Sequence, residues 1–167
     1  MILKKLREFL DSQQIKYVVI SHSTAYRTQE IAAIAHIPGK ELAKTVMVKL
    51  NGTMTMVVLP ASHMINFKLL TGALGVKKSE LATEAEFKDL FPECEVGAMP
   101  PFGNLYDINV VVSDALTEDD EIAFNAGTHN ELVKMHYKDF ERLVQPKILK
   151  FSFKRKTHED EDWVEMP

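Results

Sequence analysis

Residues 43–60 read AKTVMVKLNGTMTMVVLP, and this stretch carries the clearest hairpin signal in the chain. Both arms are rich in β-branched side chains, which favour strands because they pack well on a pleated surface. The Asn51-Gly52 pair between the arms suits a two-residue type I′ turn, since both residues tolerate the positive φ angles that this turn requires. The stretch therefore predicts two antiparallel strands joined by a tight turn.

Apolar patterns and capping signals on either side of the hairpin predict the other elements. Apolar runs predict strands over 17–21, 108–114, 121–126 and 131–137, the first of which is expected to be buried. Helical spacing predicts helices over 2–13, 29–36, 65–75, 83–91 and 138–144. Thr28 stands before the second of these as its cap, and Thr83 and Glu86 fit a capping box at the start of the fourth. Together these elements define one α+β domain, in which helices pack around a mixed, largely antiparallel sheet.

Composition limits the class of protein. The chain has 167 residues, of which 46% are hydrophobic and 26% charged, and this balance fits one globular domain with a buried core. The domain is expected to span residues 1–153, followed by a charged and mobile tail at 154–167. Cys94 is the only cysteine, so neither a disulfide framework nor a cysteine-based zinc site can form within one chain.

Charge and hydrophobicity argue against two kinds of partner. A net charge of −4 is unlike that of a dedicated non-specific nucleic-acid binder, although the basic residues within 147–156 would hold a few phosphates. No apolar run approaches the roughly 18 residues that a membrane-spanning helix needs. The N-terminal segment MILKKLREFL is amphipathic and differs from a signal peptide, so the expected location is cytoplasmic and no membrane partner is expected.

The sequence lacks the signatures of several enzyme classes. It contains no G-x-S-x-G elbow, no Walker loop, no G-x-G-x-x-G turn and no H-E-x-x-H zinc motif. The six histidines show no metal-ligand spacing. The acidic neighbours of Cys94 would raise the pKa of its thiol and make it a poor nucleophile. We therefore expect neither a metal nor any other cofactor.

Lys44 stands near the start of a predicted strand, where it shares one sheet face with Val46 and Val48. A lysine in line with two valines has two interpretations. It lies at the end of the strand and extends its charge into water, or it is held in a pocket where its charge binds a phosphate or a carbonyl oxygen. The sequence leaves both open.

The segment VGAMPPFG, residues 96–103, has the composition of a stiff loop. Two prolines fix φ and remove two backbone donors, and a glycine stands on either side of them. The amides of Gly97, Ala98 and Met99 are therefore candidates to face a carbonyl or a developing oxyanion without reorganisation. The alternative is a rigid connector that packs Phe102 against the core.

A glycine, a hydroxyl and an imidazole follow one another in FNAGTHNELVKM, residues 124–135, between two predicted strands. Gly127 would permit a positive φ and let the backbone approach a ligand closely. Thr128 and His129 would then offer that ligand polar contacts. The alternative is a surface turn with a solvated histidine.

Taken together, these three stretches resemble the YbaK/aminoacyl-tRNA synthetase-associated domain family. That family includes free-standing trans-editing proteins and the editing insertion of bacterial prolyl-tRNA synthetases. The resemblance rests on AKTVMVKL from residue 43, GAMPPFG from residue 97 and FNAGTH from residue 124, and it covers residues 1–150 in that order. It implies a barrel-like form of the predicted sheet, and it favours a ligand-facing bend at Gly127 over an ordinary turn.

The resemblance also implies roles for particular residues. The family's catalytic positions fall on Lys44, Gly97 and His129, without a metal or a side-chain nucleophile. Lys44 would hold the phosphate or ester region of the terminal adenosine, and the Gly97 and Ala98 amides would face the ester carbonyl. His129 and Thr28 would hydrogen-bond the ribose or the amino group. The substrate-binding positions implied in this way are Tyr26, Thr28, Ala98, Met99, Pro101, Phe102, Gly127 and Thr128.

The activity that the resemblance implies is that of an aminoacyl-tRNA deacylase, which hydrolyses in trans the ester between a wrong amino acid and the terminal ribose. The free ribose hydroxyl would help activate water, while the protein supplies placement and oxyanion stabilisation. The expected partner is the acceptor end of mischarged tRNA, and delivery by an aminoacyl-tRNA synthetase is left open. Two alternatives remain: a module that binds aminoacyl-tRNA or a nucleotide without hydrolysis, and a hydrolase of free amino-acid esters or thioesters.

Overall fold

The computed structural model describes residues 2–24 and 28–154, and for residues 28, 29 and 34 it describes the backbone alone. Two expected contacts, the side chains of Tyr26 and Thr28, therefore lie outside the described part, as does the tail beyond residue 154. The helices are α1 (Lys4–Ser12), α2 (Thr28–Ile34), α3 (Phe67–Leu74), α4 (Glu84–Phe87) and α5 (Tyr137–Val144). The strands are β1 (Tyr17–Ser21), β2 (Leu42–Leu50), β3 (Thr53–Pro60), β4 (His63–Ile65), β5 (Ser79–Leu81), β6 (Asn109–Ser113), β7 (Glu121–Asn125), β8 (Glu131–His136), β9 (Lys147–Leu149) and β10 (Ser152–Lys154).

The predicted hairpin is confirmed and occupies the middle of the sheet. Strands β2 and β3 pair from Ala43 opposite Pro60 to Leu50 opposite Thr53. Asn51 and Gly52 have φ angles of 50° and 82°, as the type I′ turn requires.

The sheet confirms the predicted mixed, largely antiparallel class. Its strands follow the order β1-β8-β7-β2-β3-β6-β9, and β5 adds a further pairing to β2. The pairs β2–β7, β3–β6 and β6–β9 are parallel, and the remaining pairs of this sheet are antiparallel. A second, two-stranded sheet is formed by β4 and β10. Within the described residues no pairing joins β1 to β9, so the sheet stays open between these two strands.

Both faces of the sheet are covered by helices. On one face, α1 and α5 pack on a core that includes Ala43, Met47 and Phe124. On the other face, α2 packs near Leu42, and α3 packs near Val48. Neighbouring residues of β2 thus enter opposite cores, because successive side chains of a strand point to opposite faces.

Local chemistry places the helix ends. The Asn66 side chain accepts a hydrogen bond from the Leu69 amide, 3.0 Å away, at the start of α3, and Gly75 ends that helix with a φ of 66°. The predicted capping box at Thr83 and Glu86 is confirmed, although α4 itself ends at Phe87 and a 3₁₀ turn continues it. The Lys49 ammonium hydrogen-bonds to Glu86 at 2.5 Å and is the main reason why the pKa of that carboxyl falls to about 2.

Two expectations about strands were wrong. β1 is not buried: it is an outer strand of the sheet, and Val18 and Val19 are 57% and 42% exposed. A continuous apolar run does not by itself distinguish a central strand from an outer one. The short strands β4, β5, β9 and β10 were not predicted, and Lys154 belongs to β10 rather than to the tail. Among the described residues, no helix is both long enough and apolar enough to cross a bilayer.

Candidate functional site

Two loops that are far apart in sequence are bonded to each other at one end of the sheet. We call residues 95–103 the glycine–proline loop and residues 126–130 the GTH turn. The Glu95 amide donates to the Gly127 carbonyl at 2.8 Å, and the Gly127 amide donates to the Ala98 carbonyl at 2.9 Å. The Glu95 carboxylate also accepts from the His129 amide at 2.7 Å. Each loop therefore fixes the conformation of the other.

Gly127 occupies the tightest point of this contact. Its φ is 104°, a region that residues with a side chain rarely adopt. A Cβ added there would lie 3.1 Å from the Cβ of Leu3, which leaves little room for a methyl group. The Leu3 amide also donates to the Ala126 carbonyl at 2.9 Å, so the N-terminal segment holds the turn from a third side. Glycine is present here for both its φ and its size.

His129 is not the solvated side chain of an ordinary turn. It is only 6% exposed, and its Nε2 lies 2.7 Å from the Val96 carbonyl oxygen. Because a carbonyl only accepts, Nε2 carries the hydrogen of this bond. We expected the ring to bond the substrate; in the structure it braces the glycine–proline loop beside Gly97.

Gly97 lies against the His129 ring. Its φ is 85°, and a Cβ added to it would be 3.5 Å from the ring atom Cε1. The structure thus places residues 97 and 129 next to each other, and their shared role in a site stays a prediction. The expected role of the neighbouring Ala98 amide needs correction, because this amide donates to the Glu95 carbonyl at 3.0 Å within the same loop.

The later part of the glycine–proline loop packs into the protein. Met99, Pro101 and Phe102 are all buried, and we had expected all three to line the substrate pocket. The Phe102 ring lies 5.5 Å from the rings of both Phe124 and Phe140, measured between centroids. This half of the loop matches the alternative interpretation of a rigid connector. Its packing holds the other half, around Gly97, in place.

Lys44 lies inside the sheet rather than at its edge. It pairs with Leu59 of β3 on one side; on the other side, the parallel strand β7 pairs with Leu42 and Ala43, the two residues that precede it. The register pairs Ala43 with Phe124, so the next residue along each strand is Lys44 in β2 and Asn125 in β7. Register neighbours of parallel strands point to the same face, so these two side chains share the face that α2 covers.

Asn125 is a candidate that the sequence did not single out. Its side chain is 7% exposed, and its amide oxygen is buried without a hydrogen-bond donor among the described residues. Leaving a buried acceptor without a donor costs about 1–3 kcal/mol. A ligand that brings an ammonium or a hydroxyl group would recover this energy. The signal was present in the sequence, since Asn125 ends the apolar run of β7 one residue before the turn.

Thr128 completes the GTH turn. Its hydroxyl donates to the Asn130 side chain at 2.8 Å, so its hydrogen is used within the turn. The hydroxyl oxygen is the part of Thr128 that still has acceptor capacity, because a hydroxyl has two lone pairs.

Cys94 is a free, half-buried cysteine. Burial is the main cause that raises the pKa of the Cys94 thiol, and Glu93 acts in the same direction; both effects disfavour the nucleophilic thiolate. In the described part of the chain, no group of three or more His, Cys, Asp or Glu side chains is arranged to hold a metal ion.

The candidate site thus combines a half-buried lysine, a buried amide oxygen and two interlocked glycine loops. Residues 22–143 match the family model described as the aminoacyl-tRNA editing domain. The chain belongs to this family, and the predicted class, an ester hydrolase that acts on aminoacyl-tRNA, is confirmed.

Similar proteins include free-standing and synthetase-linked relatives. The multifunctional Ser/Thr-tRNA deacylase ProXp-y of Escherichia coli (strain K12) is 27% identical, over 89% of this chain and 91% of its own. A proline--tRNA ligase of Bacillus mycoides (strain KBAB4) is 27% identical over 53% of this chain, which is 15% of that enzyme.

Two solved structures have the same fold. The hypothetical protein APE2540 superposes with a TM-score of 0.80 at 21% identity, over 90% of this chain and 100% of its own. A trans-editing enzyme proposed for prolyl tRNA synthetase superposes with a TM-score of 0.76 at 16% identity, over 90% of this chain and 96% of its own.

The packing at Gly127 leads to a first prediction. Gly127→Ala should lower the free energy of unfolding by more than about 1 kcal/mol, because alanine is strained at positive φ, and the crowding against Leu3 adds to that cost. Gly52→Ala is the matched control: its φ is 82°, but no atom lies within 4 Å of an added Cβ. Urea unfolding gives both free energies, and deacylation of mischarged tRNA is measured at equal folded fraction. Only Gly127→Ala should slow deacylation. If both variants lose the same stability and keep normal deacylation rates, the close packing at Gly127 is contradicted.

Proposed function

We propose that this domain hydrolyses seryl- and threonyl-tRNA in trans, with Lys44 and Asn125 in direct contact with the substrate. The observation that carries the proposal is the buried amide oxygen of Asn125 beside Lys44. Both amino acids carry a side-chain hydroxyl group that would donate to this oxygen, whereas alanine and cysteine lack that hydroxyl. The substrates named for the Escherichia coli relative agree with this choice. A site built around such a hydrogen bond discriminates strongly against amino acids that lack the donor.

The proposed reaction needs no side-chain nucleophile. Water adds to the ester carbonyl carbon, the bond from that carbon to the ribose oxygen breaks, and the ribose oxygen takes a proton. The products are the free amino acid and uncharged tRNA. The neighbouring ribose hydroxyl helps activate the water, while the protein contributes mainly by holding the ester in place, an effect that reaches several kcal/mol in well-oriented systems.

Lys44, Gly97 and His129 have different roles in this reaction. Lys44 holds the phosphate or ester region of the terminal adenosine through its ammonium. The Gly97 amide is the candidate oxyanion donor, because the Ala98 amide is bonded within the loop. His129 acts as a positioning residue that keeps Gly97 in place through Val96.

The proline--tRNA ligase relatives carry the matching segment within a longer chain. This favours an aminoacyl-tRNA synthetase as the partner that would present tRNA to this domain. Action on newly charged tRNA favours the cytoplasm, where charging takes place.

The proposal is tested with a panel of mischarged tRNAs. Hydrolysis of seryl- and threonyl-tRNA, faster than that of alanyl- and cysteinyl-tRNA, supports it. Tight binding of the panel without release of amino acid would instead support a binding module. Equal rates on a tRNA and on a short aminoacyl ester would support a hydrolase of free esters.

The second prediction concerns Lys44. Lys44→Ala should reduce the deacylation rate by roughly tenfold to a hundredfold, because a lost charge-assisted contact in a site is worth roughly 1.5–3 kcal/mol. Lys134→Ala is the control, since Lys134 forms a half-exposed pair with Glu121 at 3.7 Å, and such pairs contribute at most about 1 kcal/mol. Melting curves and rates are recorded on the same samples. A normal rate for Lys44→Ala would remove this residue from the site.

The third prediction concerns His129. His129→Ala should slow deacylation by roughly tenfold to a hundredfold, as expected when one hydrogen bond that positions the loop is lost. His129→Gln keeps a donor that can reach the Val96 carbonyl, so it should recover part of the rate. Residual activity in both variants agrees with a positioning role. Complete loss in both, with the fold intact, would show that the imidazole takes part in the chemistry itself.

A further inference from the structure

A chain of three side chains connects β4, β10 and the end of β6. Nδ1 of His63 lies 2.8 Å from the Ser152 hydroxyl, and the Ser152 hydroxyl lies 2.6 Å from that of Ser113. Ser113 is fully buried and also accepts a hydrogen bond from the Ala115 amide at 3.2 Å. His63 and Ser152 are separated by 89 residues in sequence, so no local motif reveals this arrangement.

The donors of this chain have a favoured direction. The Ala115 amide only donates, so the Ser113 oxygen accepts from it. In the favoured order, the Ser113 hydroxyl donates to Ser152, and the Ser152 hydroxyl donates to Nδ1 of His63. This order uses every hydroxyl hydrogen of the chain. It makes Nδ1 an acceptor and leaves Nε2 as the donor of the neutral imidazole ring.

Two lysines act on this histidine. Lys154 is paired directly with His63 across the β4–β10 ladder. Burial, then the charge of Lys44 and then that of Lys154, lower the pKa of the His63 imidazole below its ordinary value of 6.5. Asp114 and Glu118, on the 3₁₀ turn after β6, act more weakly in the opposite direction. His63 therefore lies in a locally positive environment next to the proposed site.

We propose that His63 and Lys154 form, together with Lys44, a binding site for a phosphodiester of the tRNA acceptor end. The inference rests on the proposed function and extends it from the ester to the nucleotide backbone. Two ammonium groups and one N–H donor match a phosphodiester, which offers one negative charge and two acceptor oxygens. The Ser152–Ser113 chain fixes the orientation of the imidazole, so that Nε2 is the donor available to a ligand.

This arrangement makes tRNA affinity dependent on pH. A bound phosphodiester favours protonated His63, so binding should tighten as the pH falls from 8 to 6. The free protein responds in the opposite sense. Folding disfavours the protonated ring, so stability is lost as the pH falls below the ordinary pKa of 6.5. The folded fraction is therefore checked by circular dichroism at each pH.

The fourth prediction is tested by the binding of fluorescently labelled, uncharged tRNA, which requires no hydrolysis. His63→Gln should raise the Kd by about threefold to tenfold at pH 6 and less than about twofold at pH 8. Lys154→Met should raise the Kd at both pH values and reduce the salt dependence, by about 0.7 in the slope of log K against log salt for one phosphate contact. His136→Gln is the matched control: His136 is exposed at the end of β8, two strands away from β2.

The outcomes separate this inference from the proposed function. If His63→Gln and Lys154→Met bind tRNA as the wild type does at pH 6, the phosphodiester site is overturned even when deacylation is normal. If both variants weaken binding but the wild type hydrolyses no member of the mischarged panel, the phosphodiester site stands and the proposed reaction fails. A normal kcat with a raised KM for His63→Gln supports the assignment, whereas a lowered kcat with an unchanged KM contradicts it.

Discussion

Both edges of β2 are occupied by other strands, and the position of the site follows from this. Strand β3 pairs along one edge, while β7 and β5 follow each other along the second edge. Bonds to neighbouring strands along one whole edge and at both ends of the other make β2 a rigid support. Lys44 directly follows Leu42 and Ala43, the two residues of β2 that pair with β7. It is half-buried at this point and pairs with Leu59 of β3.

The interlocked loops provide the other half of the site and use a different kind of constraint. Gly127 and Gly97 both adopt positive φ, and each lies against a residue of the opposite loop or of the N-terminal segment. Backbone groups of both loops bond to each other, and the Glu95 carboxylate and the His129 ring add further bonds, so the conformation around Gly97 is fixed from several sides. Catalysis by placement requires such preorganised groups, because reorganisation during the reaction would consume the stabilisation that they provide.

Features of the fold were predictable from the sequence when the residues that create them are close together in the chain. Asn51-Gly52 and the Thr83 capping box were predictable because their chemistry acts over two to four residues. The proximity of Gly97 to His129 was predictable from the family resemblance. The bonds that hold His129 and the Ala98 amide were not, because both involve Glu95, which is 34 residues from His129 in the chain. Asn125 and His63 escaped prediction for a similar reason. Their surroundings are created by strands that come together only in the folded protein. The burial of β1 was predicted wrongly because its outer position depends on the strand order of the whole sheet.

The bonds between Glu95 and Gly127 have a consequence for synthesis of the chain on the ribosome. The glycine–proline loop emerges well before the GTH turn, and strand β7, which completes the surroundings of Lys44, emerges between them. Contacts between residues so far apart close only after the intervening chain has collapsed, because loop closure opposes them until then. A nascent chain that ends before Gly127 therefore lacks the bonds that hold the two loops together. The conformation of the glycine–proline loop is fixed only after the GTH turn has been synthesised.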